Sequence, residues 1–129
     1  DPRPMSQKRP NPKPPKLRTF VSGATRDADL GKPDYAGFTD PLVLERFGEY
    51  MLKHQTQSDG ALRASDNWKK GIPQAELFKS ATRHFHDWDL EHSGYQSRED
   101  EESALCGLLF NLSAYLRGLL LARGYKERA

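Results

Sequence analysis

The stretch that decides the fold is residues 74–124, QAELFKSATRHFHDWDLEHSGYQSREDEESALCGLLFNLSAYLRGLLLARG. In its first half Leu77, Ala81, His84, Trp88 and Glu91 recur at three- and four-residue intervals, with Phe78 and Phe85 flanking. That is one face of a helix, predicted from Gln74 to about His92. A turn follows at Gly94. Ser97 is placed to cap a further helix whose first turn is Glu99-Asp100-Glu101-Glu102, and Gly124 marks its end. Leu105, Leu108, Leu109, Leu112, Leu116, Leu119 and Leu120 supply its apolar face. Two helices joined by so short a turn pack antiparallel, here around a leucine-rich seam.

Upstream, Asp40 is a good N-cap and Pro41 a good first helical residue. Leu44, Phe47 and Met51, with Val43 and Tyr50, continue as an apolar stripe at helical spacing. Residues 55–73, QTQSDGALRASDNWKKGIP, read as a long polar connection that Trp68 anchors. Residues 19–39, TFVSGATRDADLGKPDYAGFT, are too rich in Gly, Asp and Pro for a long regular element. No stretch sustains period-two alternation. The expected fold is therefore all-α, a small antiparallel helical bundle with long ordered loops.

Residues 1–18 hold six of the nine prolines and six basic side chains against one acid, a net +5. Such a segment buries too little apolar surface to offset its ordering entropy, so it reads as a disordered arm ahead of a helical domain at 19–129. Because the whole chain carries +2, the body carries −3, which argues against nucleic acid as its main ligand. The arm alone, as a phosphate grip, would give salt-sensitive binding. A single cysteine, Cys106, excludes an internal disulfide framework and fits a reducing cytoplasm. Cys106 lies inside the leucine-rich run and reads as core. No uninterrupted apolar run approaches the ~18 residues of a membrane span, and nothing resembles a signal peptide. So few helices leave wide apolar faces, so a homo-oligomer, dimer or tetramer, is expected.

Chemistry concentrates where the last two helices meet. His84, Asp87 and Glu91 fall at helical spacing beside Arg83, and Glu99 and Glu102 are one turn apart on the next helix. Clustered carboxylates repel unless protonated or holding a hard cation, and Mg²⁺ or Mn²⁺ is the natural occupant. His84, Asp87, Glu99 and Glu102 are the candidate metal ligands. The alternative stands beside it: acids in a first turn favour the helix dipole without any metal, and His84 beside Trp88 can be a satisfied core histidine. In GATRDADLGKPDY, Arg26 and Lys32 can clasp phosphate with Asp34 nearby, and in NWKKG Trp68 can stack on a base beside Lys70. Both segments are equally readable as surface loops. No zinc-type Cys/His spacing and no nucleophile elbow is present.

Five blocks in order carry a resemblance: SGATRDADLGKPDYAGF at 22–38, PLVLERFGEYMLKHQ at 41–55, SDNWKKGIP at 65–73, RHFHDWDLEHSGY at 83–95 and EESALCGLLFN at 101–111. Together they resemble the phage and prophage dATP/dGTP diphosphohydrolase N-terminal domain family, the MazZ-like proteins, related to the MazG-type all-α nucleotide pyrophosphatases. The resemblance spans roughly residues 19–117. It implies a cytoplasmic, phage- or prophage-encoded enzyme that cuts a purine deoxynucleoside triphosphate between the α- and β-phosphates with Mg²⁺ or Mn²⁺. That superfamily's motif is ExxE, a spacer, then ExxD. The match here is His84-x-x-Asp87, eleven residues, then Glu99-x-x-Glu102, similar in spacing but not in letters. It implies Asp87, Glu91 and Glu102 as catalytic acids, and Arg26, Lys32, Asp34, Trp68, Lys70 and Arg83 as substrate contacts. The alternative function is a non-catalytic, sponge-like protein that sequesters a nucleotide in an anti-defence role.

Overall fold

The structure is a computed structural model and describes residues 17–28 and 30–126. It divides into two units, 1–40 and 41–129. The first carries a feature that an all-α reading lacks. Strands β1 (Leu17–Thr19) and β2 (Thr25–Asp27) pair antiparallel, with Leu17 opposite Asp27 and Thr19 opposite Thr25. Three residues per strand is too short for alternation to register in the sequence. The turn geometry decides instead: Phe20 N–H donates to Ala24 C=O at 2.8 Å, and Gly23 takes φ +88°, open to glycine at little cost. The fold is thus mostly helical with a small hairpin. The predicted arm falls outside the described residues except for Leu17 and Arg18, which open β1. Helix α1 (Tyr35–Phe38) completes this unit.

The second unit holds α2 (Pro41–His54), α3 (Gln74–His92) and α4 (Glu101–Ala122). The connection between α2 and α3 is ordered. A tight hairpin over 55–63 is closed by Gln57 N–H to Ala61 C=O and turned by Asp59-Gly60, and a 3-10 turn, Asn67–Lys70, carries Trp68. Trp68 meets Phe110 of α4 edge-on at 5.6 Å, with the Arg117 guanidinium 5.6 Å from its ring centre, so it does anchor the loop.

Helices α3 and α4 run antiparallel, as the contacts Ser80–Asn111, His84–Glu99 and Asp87–Arg98 require. The α4 side of their seam, however, is not built mainly of leucines, although Leu77 on α3 is buried. The buried α4 residues include Ala104, Gly107, Asn111 and Ala114, at intervals of three and four, while Leu105, Leu109, Leu112 and Leu116 are 39–56% exposed. Small side chains let two helix backbones approach closely, and this pair uses them. A Cβ on Gly107 would lie 2.5 Å from the His84 ring, so glycine is what admits that imidazole to the seam. Cys106 is buried as expected, and burial pushes its thiol above the usual range. On α2, Leu44 and Val43 face outward and Tyr50 is the buried residue. By length and composition alone α4 is apolar enough to cross a membrane.

Candidate functional site

The start of α4 sets which acids can meet. Asp100, not Ser97, is the N-cap: its carboxylate accepts from Ser103 N–H at 2.7 Å, which also holds its pKa below the ordinary value. The helix therefore begins at Glu101, and Glu99 lies in the preceding turn. Glu99 and Glu102 are then no longer one helical turn apart. Glu99 faces α3, whereas Glu102 turns to α2 and pairs with Arg46 Nε at 2.9 Å, well exposed. The expected ligand and catalytic role of Glu102 is not supported, because its carboxylate sits on the other flank of α4.

What gathers between α3 and the turn before α4 is His84, Asp87 and Glu99. One ligand atom from each lies within 4.8 Å of the others. His84 Nδ1 and Glu99 Oε1 are 2.6 Å apart. Asp87 is 2% exposed and is gripped at two points by Arg98, Nη2 to Oδ2 at 2.6 Å and Nε to Oδ1 at 3.3 Å. The Arg98 guanidinium holds the Asp87 carboxyl below the usual carboxylate range, against the opposing effect of burial. Arg98 was hidden in the sequence among the acids that follow it.

Glu91 does not join this group. Its carboxylate accepts from Ser97 N–H at 3.1 Å, and the Ser97 hydroxyl sits between Glu91 and the Glu99 carbonyl. Glu91 thereby fixes the turn that carries Arg98 and Glu99.

Against this cluster opens a cavity of about 510 Å³ between α2, the 55–73 connection, α3 and α4. His84 lines it and so belongs to both. Its walls include Tyr50, Trp68 and Phe110, and its cations are Lys53 and Arg63, with His54 beside them. Among the predicted substrate residues only Trp68 lines it. Lys70 and Arg83 are exposed and outside its wall; Arg83, one residue before His84, is turned about 100° around the helix. Arg26, Lys32 and Asp34 lie in the other unit. There Asp34 is a helix cap, its Oδ1 accepting from Gly37 N–H at 3.0 Å, which accounts for its presence without a ligand. Arg26 and Lys32 are exposed.

Several cavity residues escape the sequence reading, Lys53, Arg63, Tyr50 and Asn111 among them. From its spacing Tyr50 reads only as part of the apolar stripe of α2. Asn111 interrupts the apolar run LLFNLSAYL, and a polar residue there was the available signal. Comparison with family models, with characterised proteins and with solved structures finds no match. The functional reading therefore rests on the residues themselves.

Proposed function

We propose that the chain binds a purine deoxynucleoside triphosphate in the α2–α4 cavity and hydrolyses it, with Mn²⁺ or Mg²⁺, to the monophosphate and pyrophosphate. The observation that carries this is His84, which lines a nucleotide-sized cavity and at once belongs to a group able to hold a metal. The donor set fits a divalent ion: one imidazole nitrogen and two carboxylates, close enough to converge on one centre. A nitrogen donor suits Mn²⁺ better than Mg²⁺, which prefers oxygen. When bound, such an ion supplies Lewis acidity toward phosphate oxygens and water.

The chain's own residues do the rest. Arg98 and Glu91 hold Asp87 and Glu99 in place. Gly107 leaves room for the His84 ring. Lys53 and Arg63 offset phosphate charge, and the aromatic walls take the base. The test is pyrophosphate release from dATP and dGTP with Mn²⁺; absence of release over a wide protein range removes the enzyme claim.

A second reading, reversible nucleotide binding without turnover, is favoured by one observation. Both Asp87 oxygens are held by Arg98 and Glu102 is paired with Arg46, which leaves Glu99 the one proposed acid ligand with no arginine on it. Calorimetry showing tight metal-independent binding with no product supports that reading.

Self-association belongs to the same proposal. Leu105, Leu109, Leu112 and Leu116 stand exposed at intervals of four, three and four, the spacing of a helix–helix seam. Glu101 flanks one end of that row and Arg123 the other, so a second copy laid antiparallel meets opposite charge. A cytoplasmic location is proposed with it.

A further inference from the structure

Two polar atoms on residues of the cavity wall have no hydrogen-bond partner among the described residues. Asn111 is 6% exposed, and its Nδ2 donates to Gly107 C=O at 2.8 Å and to Ser80 Oγ at 3.1 Å. A carbonyl can only accept, so this contact fixes which end of the amide is nitrogen. Both Nδ2 hydrogens are thereby used, and Oδ1 is left as an acceptor with its orientation set. Tyr50 is 8% exposed, its ring against His54 at 4.2 Å, and its hydroxyl bonds no group among the described residues. Among the described residues no side-chain nitrogen or oxygen is both fully buried and without a partner. These two oxygens therefore keep some surface, and both residues line the cavity.

Buried polar groups are nearly always hydrogen-bonded, and an unpaired one is costly. An oriented acceptor on α4 and a hydroxyl on α2, each more than nine-tenths buried and lining one cavity, are the pattern of a recognition edge. We propose that Asn111 Oδ1 and the Tyr50 hydroxyl read the base edge of the nucleotide, selecting a purine that offers an N–H donor beside an acceptor. The inference rests on the nucleotide reading of this cavity and adds the chemistry of selection to it. Adenine meets it with its exocyclic amine and N1, guanine with N1–H and O6. Asn111 accepts the ligand's N–H and Tyr50 donates to the ligand's acceptor. A purine with no N–H on that edge leaves Asn111 unpaired. Ser80, which also lines the cavity, acts as a positioning residue by accepting from the Asn111 amide.

The test uses monophosphates, which exclude turnover. The full chain is titrated calorimetrically with dAMP, dGMP and the 5′-monophosphate of unsubstituted purine 2′-deoxyriboside. The tighter of the first two should bind about tenfold or more better than the unsubstituted purine, the scale expected when a site's polar group loses its partner. Asn111→Leu should reduce that ratio below about threefold, and Tyr50→Phe should weaken the preferred nucleotide by about three- to tenfold with the fold intact. Equal binding of all three by the wild type overturns the inference while leaving nucleotide binding standing, as does an unchanged ratio in Asn111→Leu. Failure of the wild type to bind any of them overturns the nucleotide reading and this inference together. If Asn111→Leu does not fold by circular dichroism, Tyr50→Phe decides, because it removes a single oxygen; unaltered affinity there refutes the edge.

Discussion

Replacing Gly107 with alanine isolates the contact on which the site's geometry depends. The added methyl would lie 2.5 Å from His84 Cε1 and 2.6 Å from both ring nitrogens. Ordinary contact between such atoms is about 3.5–4 Å, so the imidazole must recoil by about 1 Å. The His84–Glu99 contact is 2.6 Å now, and a recoil of that size away from Glu99 takes it beyond hydrogen-bond range. Overpacking costs about 1–3 kcal/mol, while alanine in place of glycine within a helix returns about 0.8–1 kcal/mol. Gly107→Ala should therefore be neutral to about 2 kcal/mol destabilised. Gly48→Ala on α2 is the control, because nothing lies within 4 Å of its Cβ and only the helix-propensity gain remains. Thermal unfolding followed by circular dichroism should separate the two by about 1–3 kcal/mol, or several degrees in a domain near this size. Mn²⁺ titration should show weaker binding in Gly107→Ala alone. A rise in melting temperature shared by both variants, with Mn²⁺ affinity unchanged, refutes the reasoning.

Three further outcomes follow from the same contacts. Arg98 depresses the Asp87 pKa, so its contribution to stability is present above the ordinary carboxylate value of 3.8 and is lost as pH falls toward the lower folded value. Arg98→Ala should be less stable at pH 7 and lose less on acidification below about pH 4, read from melts across that range. Asp87→Asn and Glu99→Gln should abolish metal-dependent turnover while Glu102→Gln retains it, measured as pyrophosphate release; loss only in Glu102→Gln would reverse the assignment. Leu109→Glu with Leu112→Glu should convert an oligomer to monomer in light scattering, and an unchanged mass places the interface elsewhere.

Helix α3 was fully legible, bounded at Gln74 and His92, because a long periodic run between Pro73 and a Ser-Gly turn leaves little choice. The start of α4 was legible only to within one turn. Ser97 and Asp100 are both good caps, and the choice went to Asp100 because Ser97 is held by Glu91 and the Glu99 backbone, contacts that exist only once the turn has folded. That three-residue shift moved Glu102 out of the cluster and left Glu99 in it. The seam misled for another reason. Periodicity marks which α4 residues share a face, but Ala104, Gly107 and Ala114 share one as regularly as the leucines do. Which face meets α3 depends on how closely the two backbones approach. The β1–β2 hairpin rests on one glycine turn and six residues, below any periodic signal. The cavity cations Lys53 and Arg63 sit far apart in sequence from His84, so only the folded chain brings them together.

Anomalous diffraction at the manganese edge, from crystals grown with Mn²⁺ and a non-hydrolysable dATP or dGTP analogue, tests the central claim most directly. The account predicts a peak among His84, Asp87 and Glu99, with nucleotide density running into the cavity beside it. Bound nucleotide with no manganese at those three residues would contradict it.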